Sequence, residues 1–356
     1  MNILVKRLSN YTKNVRIQTM KNFKGKHGPL LIAEIGGNHE GDFDYALKLT
    51  KLAIESDVDF IKYQLYSGDT LVSKVENPVR NKHFKKFELS KEQYIQLAKL
   101  CNDHNIGFMA SVWDLNYLSW IDKYMPIYKI GSGDFTAYPV IKEIARLQKP
   151  IILSTGLSSH QEVIETVDFI QKLDPLYLDK NFLGVLQCTS MYPIGYSDAN
   201  LSTMDSYRKD TKLTVGYSDH TEGIYALEIA VAMGAEILEF HFTDSREGKE
   251  FRDHKVSLTK NEVKKLIEKI KKIQDLKGSS IKEPVQVEIE SGHVTTFRRA
   301  VYLSRDMTQG EVVREEDLIY LRPNHGIDAR DYQSVIGKKL KKDILAYQKL
   351  NKDLFE

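Results

Sequence analysis

The sequence predicts a (β/α)₈ barrel followed by a small β-rich domain. Three observations carry this. Eight short β-type segments succeed one another, with helical patterns between them. They read as mostly continuous apolar runs, as strands buried on both faces do. The repeat fills roughly 250 residues, the usual span of such a barrel. A doubly wound open sheet is the competing architecture, and it normally carries a glycine-rich phosphate loop after its first strand. Here that turn reads Gly36-Gly37-Asn38-His39-Glu40-Gly41, without the dinucleotide spacing.

The first strand is LLIAEIG, residues 30–36, and Ala46, Leu49 and Ala53 mark one face of the following helix. VDFIKYQ (58–64) comes next, then a long stretch without helical pattern until Ser90 and Gln93, a capping-box pair. IGFMAS (106–111) precedes a short helix from about Asp114, and IYKIGS (127–132) precedes a helix from Tyr138. After PIILST (150–155), Ser159 and Glu162 cap a helix whose inner stripe is Val163, Val167 and Ile170. FLGVLQCTS (182–190), LTVGYSDH (213–220) and ILEFHFT (237–243) complete the strands. Thr259 and Glu262 cap a last helix with Val263, Leu266, Ile267 and Ile270 inward. The expected domains are a barrel over 1–276 with an N-terminal extension over 1–29, a polar linker over 277–295, and a β-rich module over 296–356.

A net charge of +2 leaves no broad basic field for nucleic acid, so anion binding must be local. No run of about 18 apolar residues suggests a membrane span. The opening MNILVKRLSN lacks the apolar core of a signal peptide. Cys101 and Cys188 stand far apart in no metal-like spacing and read as buried thiols. A cytoplasmic protein is the expectation.

Active sites of such barrels lie at the C-terminal strand ends. There the strands carry Glu34, then Lys62 and Gln64, Ser111, Lys129 and Ser132, Ser154 and Thr155, Thr189, Ser190 and Tyr192, Ser218, Asp219 and His220, and Glu239, His241 and Thr243. Buried polar groups cost free energy unless paired, so a full ring of them argues for chemistry. Two lysines and several hydroxyls suit phosphate or carboxylate. His220 and His241, on adjacent strand ends, suit a metal with positions open to water and substrate. Glu34, Glu239 and Asp134 could act as acid, base or support. His27, His39, His83, His104, His160, His293 and His325 show no such pairing and read mostly as solvated or loop residues.

These strand ends resemble those of the sialic acid synthase family. The matching stretches are IAEIGGNHEGD, DFIKYQ, YKIGSGD, PIILSTG, LQCTSMYP, GYSDHTEG, LEFHFT, DHKVSL and LRPNHGI. The segment from about Thr296 resembles the antifreeze-like (SAF) domain of that family. The resemblance implies condensation of phosphoenolpyruvate with N-acetylmannosamine or a related amino sugar. It implies that Lys62, Ser111, Lys129, Ser132, Ser154, Ser190 and Ser218 bind phosphoenolpyruvate. It implies that His220 and His241 ligate Mn²⁺ or Mg²⁺, and that Gln64, Tyr192, Asp253 and Arg322 hold the amino sugar. Arg322 would come from the partner in a domain-swapped homodimer. Glu34 and Asp134, with Lys62 and Lys129, fall near the reacting atoms.

The sequence departs from the family pattern before Asp253, where Phe251-Arg252 replaces the family's usual Gly-Pro or Gly-Ser, and at Phe240, a position commonly basic in the family. It also departs at Ser111-Val112-Trp113 and in the loop Pro323-Asn324-His325-Gly326. These changes read as clustering on the sugar side, which admits a legionaminate- or pseudaminate-type acceptor. Trp113 reads as packing at the mouth. A Schiff-base aldolase using Lys62 or Lys129 without metal is a competing enzyme. A non-catalytic sugar-binding protein is a competing class, disfavoured by two lysines and two histidines at one mouth.

Overall fold

A computed structural model describes residues 22–356. Residues 1–21 of the expected N-terminal extension lie outside the described residues. The chain divides into two compact units, with the division after Gly278.

In the first unit, eight parallel strands close a barrel. They are β1 (Gly28–Glu34), β2 (Phe60–Leu65), β3 (Gly107–Val112), β4 (Tyr128–Ile130), β5 (Ile151–Ser154), β6 (Leu183–Cys188), β7 (Thr214–Asp219) and β8 (Ile237–His241). Each pairs with the next, and β8 pairs with β1, so no edge remains. Every strand expected from the apolar runs is present. The main helices around it are α1 (Phe43–Glu55), α2 (Pro78–Lys86), α3 (Lys91–Asp103), α4 (Tyr138–Ala145), α5 (His160–Leu173), α6 (Thr203–Thr211), α7 (Tyr225–Ala232) and α8 (Lys260–Lys277). The capping boxes at Ser90, Ser159 and Thr259 all form and start α3, α5 and α8. They supply acceptors for amide protons that a helix start leaves unpaired.

Side chains alternate across each strand, and that period of two sorts the barrel's chemistry. Ile32, Phe60, Met109, Ile127, Ile152, Leu186 and Ile237 pack with Phe23 and Leu30 into an inner apolar floor. Stepping two residues from this floor toward the C-terminal end gives Glu34, Lys62, Ser111, Lys129, Ser154, Cys188 and Glu239. The intervening residues, among them Ala33, Ile61, Tyr63, Phe108, Tyr128, Leu153, Tyr217, Leu238 and Phe240, join the larger core beneath the helices. Phe240 therefore faces the helices and not the barrel interior. Its departure from the family pattern does not bear on the sugar side.

The stretch after β2 holds more helix than its pattern predicts. A turn at Gly68–Leu71 and helix α2 stand there. Helix α2, PVRNKHFKK, is mostly charged and exposed, so it carries no apolar periodicity to read. A buried polar side chain holds it, together with the Phe84 ring against Tyr66 and Trp113. Asn81 Nδ2 donates to Gly68 O and Val72 O, each at 2.8 Å.

The second unit has its own core, including Val301, Leu303, Met307, Val313, Leu340, Ile344 and Leu350. Its strands β9 (Ala300–Leu303) and β10 (Leu318–Leu321) pair antiparallel. Short helices at Gln286–Glu290 and His293–Thr296 occupy the stretch expected to be linker.

Candidate active site

Two glutamates and two lysines alternate across the polar layer above the apolar floor. Glu34 and Lys62 are register partners on β1 and β2 and form a buried ion pair. Gln64, two residues further on, donates Nε2 to Glu34 Oε1 at 3.0 Å. On the opposite side Lys129 donates Nζ to Ser154 Oγ at 2.6 Å. Glu239 links the halves: its Oε1 lies 3.5 Å from Lys129 Nζ and 3.9 Å from Lys62 Nζ. Ser218 Oγ donates to the same oxygen at 3.1 Å. Glu239 Oε2 is buried without a hydrogen bond, an uncommon condition in a finished structural network.

Burial opposes every one of these charges. It raises the Glu34 carboxyl above the usual carboxylate range, against the pull of Lys62. It also opposes the charge of Lys62, but Glu239 and Glu34 outweigh it and leave the ammonium firmly protonated. For Lys129 burial prevails over Glu239, so its ammonium is held below the usual lysine range. Burial likewise works against Glu239, yet Lys129 and Lys62 keep it ionised.

Three serines complete this side. Ser111 is the register partner of Lys129 and is buried. Ser132 Oγ accepts from Gly156 N at 3.0 Å. A side chain on Gly156 would come within 2.7 Å of Ser132 Oγ and strike Ser190 Oγ, so only glycine lets the loop after β5 pass between the two hydroxyls. Asp134 sits in the short turn after β4. Burial alone raises its carboxyl to about 6, and it joins no ion pair among the described residues.

The histidines stand one step nearer the mouth, beside Tyr192. The His220 and His241 rings are 5.3 Å apart, and Tyr192 lies 4.0 Å and 5.5 Å from them. His220 Nδ1 lies 2.6 Å from Thr189 O. A carbonyl only accepts, so Nδ1 carries the proton, and in the neutral ring Nε2 is left with the lone pair. Burial works against the charged ring, but Cys188, the Thr189 carbonyl and Asp219 outweigh it and raise His220 above the usual histidine range. His241 Nδ1 is buried and unpartnered, 4.0 Å from Asp253 Oδ2. Burial, then the neighbouring His220, hold His241 well below the usual histidine range, leaving a neutral imidazole. Two lone pairs on adjacent neutral-capable rings fit a divalent cation. Among the described residues no cluster of three or more His, Cys, Asp or Glu could hold one. Any ion there would fill its remaining positions with water or substrate oxygens, as an open catalytic site does.

Not every strand-end polar group belongs to this site. Asp219 is consumed by Tyr217 Oη, Thr221 N and Thr221 Oγ1. Thr155 Oγ1 donates to Leu186 O, Thr189 Oγ1 to Asp198 O, and Thr243 Oγ1 meets His254 Nδ1. These are structural bonds, and counting by twos from the floor separates most of them from the inward set. Trp113 stacks on Tyr66 at 5.3 Å, as packing at the mouth. Cys188 is buried as expected, with its Sγ 4.0 Å from His220 Nδ1. His39 lies in the turn after β1, as a loop histidine, but is buried there and accepts from Gly41 N at 3.0 Å. Arg322 lies in the second unit.

Two contributors are not legible as site groups in the sequence. The Thr189 carbonyl that fixes His220 has no sequence signal, being backbone. Arg252 stood out only as a departure. Its Nε donates to Asp253 Oδ1 at 3.0 Å, and its guanidinium lies 4.5 Å over the Tyr192 ring.

A closed (β/α)₈ barrel with lysines, hydroxyls and an imidazole pair at one mouth defines a barrel enzyme for an anionic substrate. The chain belongs to the NeuB family, whose model matches residues 49–282, and a SAF domain matches residues 298–352. It is 34% identical to the N,N'-diacetyllegionaminic acid synthase of Legionella pneumophila, over 89% of this chain and 91% of that one. It is 30% identical to the pseudaminic acid synthase of Campylobacter jejuni strain 81-176, over 91% of this chain and 95% of that one. Among solved structures, the N-acetylneuraminic acid synthetase of Leptospira borgpetersenii, in complex with citrate, is 30% identical with a TM-score of 0.69. That match covers 75% of this chain and 90% of the other. No helix among the described residues is long and apolar enough to cross a membrane.

Proposed function

We propose that this enzyme condenses phosphoenolpyruvate with an N-acylated amino hexose to give a nonulosonate and inorganic phosphate. The observation that carries the reading is the buried Glu34–Lys62–Glu239–Lys129 network one step below the paired imidazoles of His220 and His241. The N-acetylneuraminic acid synthetase among the solved structures supports N-acetylmannosamine as acceptor, and the legionaminic and pseudaminic acid synthases among the relatives support a 2,4-diacetamido hexose as the alternative.

In this reading Lys62 and Lys129, with Ser111, Ser132, Ser154, Ser190 and Ser218, hold the phosphate and carboxylate of phosphoenolpyruvate. Gln64, Tyr192 and Asp253 orient the open-chain sugar so that its aldehyde carbon meets C3 of phosphoenolpyruvate. His220 and His241 would hold Mn²⁺ or Mg²⁺, which when bound supplies Lewis acidity toward the aldehyde oxygen. Glu34 takes a proton from the water that adds at C2, Asp134 exchanges a proton at the mouth, and phosphate leaves by C–O cleavage. Arg322 would reach the sugar from a partner chain in a domain-swapped homodimer.

Phosphate release from phosphoenolpyruvate with a panel of 2-acetamido and 2,4-diacetamido hexoses tests this. The expected result is release that EDTA abolishes and Mn²⁺ or Mg²⁺ restores, with metal binding lost in His220→Ala and His241→Ala. Activity that survives EDTA, with substrate trapped on Lys62 or Lys129 by borohydride, would favour the aldolase instead.

A further inference from the structure

We propose that Arg252 is a specificity-determining residue that binds the acyl amide of the acceptor sugar. The inference rests on the function proposed above and adds a contact within the barrel chain itself. Arg252 is two-thirds exposed, with 65% of its side chain open, while its partner Asp253 is buried. One edge of the guanidinium is tied down, because Nε donates to Asp253 Oδ1 at 3.0 Å. Its face rests on Tyr192, 4.5 Å from the ring centroid. Its two terminal nitrogens donate to nothing among the described residues. A fork held on one edge and one face has lost most of its rotamer freedom, so little entropy remains to be lost when the other edge binds.

The location ties this fork to the acceptor. Tyr192 and Asp253 are two of the residues proposed to touch the amino sugar, and Arg252 contacts both. They reach it from separate segments, after β6 and after β8, and Tyr192 in turn lies against both histidines. Anything seated between Tyr192 and Asp253 therefore meets Arg252.

Charge and shape then select the group. Asp253 already balances the guanidinium, so an incoming anion would meet a neutral pair. A neutral acceptor of hydrogen bonds suits it better. An open-chain amino hexose offers two carbonyl oxygens, and the proposed reading commits the aldehyde oxygen to the histidine pair, which leaves the acyl amide, with its apolar acyl carbon beside it, for this fork. Phe251, next in the chain, supplies the matching apolar surface. It is half-buried, its ring is 4.9 Å from Phe87, and a side chain on Gly37 would come within 3.0 Å of it. A cationic fork beside an aromatic edge is complementary to carbonyl and acyl carbon together.

The test uses the full-length enzyme with Mn²⁺, as wild type, Arg252→Ala and Arg252→Lys. Phosphate release is measured with N-acetylmannosamine and with mannose as acceptors. N-acetylmannosamine binding is measured in parallel by calorimetry in the presence of phosphoenolpyruvate under non-turnover conditions. Arg252→Ala is expected to raise the KM of N-acetylmannosamine about tenfold, the effect of one lost hydrogen bond. It should shrink the preference over mannose by a similar factor and leave the KM of phosphoenolpyruvate unchanged. Lysine should not restore the preference, since it lacks the fork. An unchanged preference, or a rise confined to the KM of phosphoenolpyruvate, overturns the proposal. If the wild type releases no phosphate with any acceptor, the condensation reading fails by itself. Calorimetry still decides for Arg252: weaker binding in the variant supports it, while equal binding, or none in either protein, overturns it.

Discussion

Asp134 carries a cost that its surroundings do not offset. Burial raises its carboxyl to about 6 from an ordinary value of 3.8. The folded protein thus binds this proton more tightly than the unfolded chain does. Stability from this group is full below pH 4, falls as pH rises toward 6, and stays reduced above it. Asp134→Asn should therefore raise stability at pH 8 by about 2 kcal/mol, after discounting for partial exposure, with little change at pH 4. If Asp134 exchanges a proton in the reaction, the same variant loses activity, and thermal melts beside phosphate-release rates check both halves. His39 runs the opposite way. Burial lowers it to about 4, so it folds neutral. Below pH 6.5 the unfolded chain takes up a proton that the folded one refuses, and stability falls until pH 4. His39→Gln should flatten that acid limb by about 2 kcal/mol, read from denaturant midpoints at pH 7 and pH 4.5.

At the scale of elements, the insert between β2 and α3 is held by a buried amide together with the Phe84 ring, which lies 5.2 Å from Tyr66 and 6.4 Å from Trp113. Asn81→Ala leaves Gly68 O and Val72 O without their donor. A local loss of about 1–3 kcal/mol is expected, with faster amide exchange across residues 68–89 and little change in the barrel strands. The same insert shows where sequence reading stops. Strands and capped helices were legible because apolar runs and Ser/Thr-x-x-Glu/Gln spacings write their own signals. Helix α2 wrote none, since a buried amide and the Phe84 ring, not a stripe of aliphatics, fix it. The site divides likewise. Lys62, Lys129, Glu34 and the histidines stood out as polar residues in apolar strands. The Thr189 carbonyl did not, and Asp219 and Thr155 looked like site residues until the two-residue period turned them toward the helices.

At the scale of the whole molecule, the resemblance implies a site completed by a partner's Arg322. Mixing Lys129→Ala with Arg322→Ala checks it. Each variant alone should be nearly inactive. Random re-pairing makes half the dimers mixed, each with one intact site, so activity should return to about a quarter of wild type. Mixtures no more active than their parts would rule out sharing.

The buried quartet has a further consequence for how substrate enters. In the proposed reading, Glu34 and Glu239 lie against Lys62 and Lys129 and offset much of the positive charge that phosphoenolpyruvate would meet. A multiply charged anion gains little there until positive charge arrives with it. Cation and phosphoenolpyruvate should therefore be mutual effectors. Each would tighten the other by the same factor, as thermodynamic linkage requires, so the apparent Kd of either should fall as the concentration of the other rises.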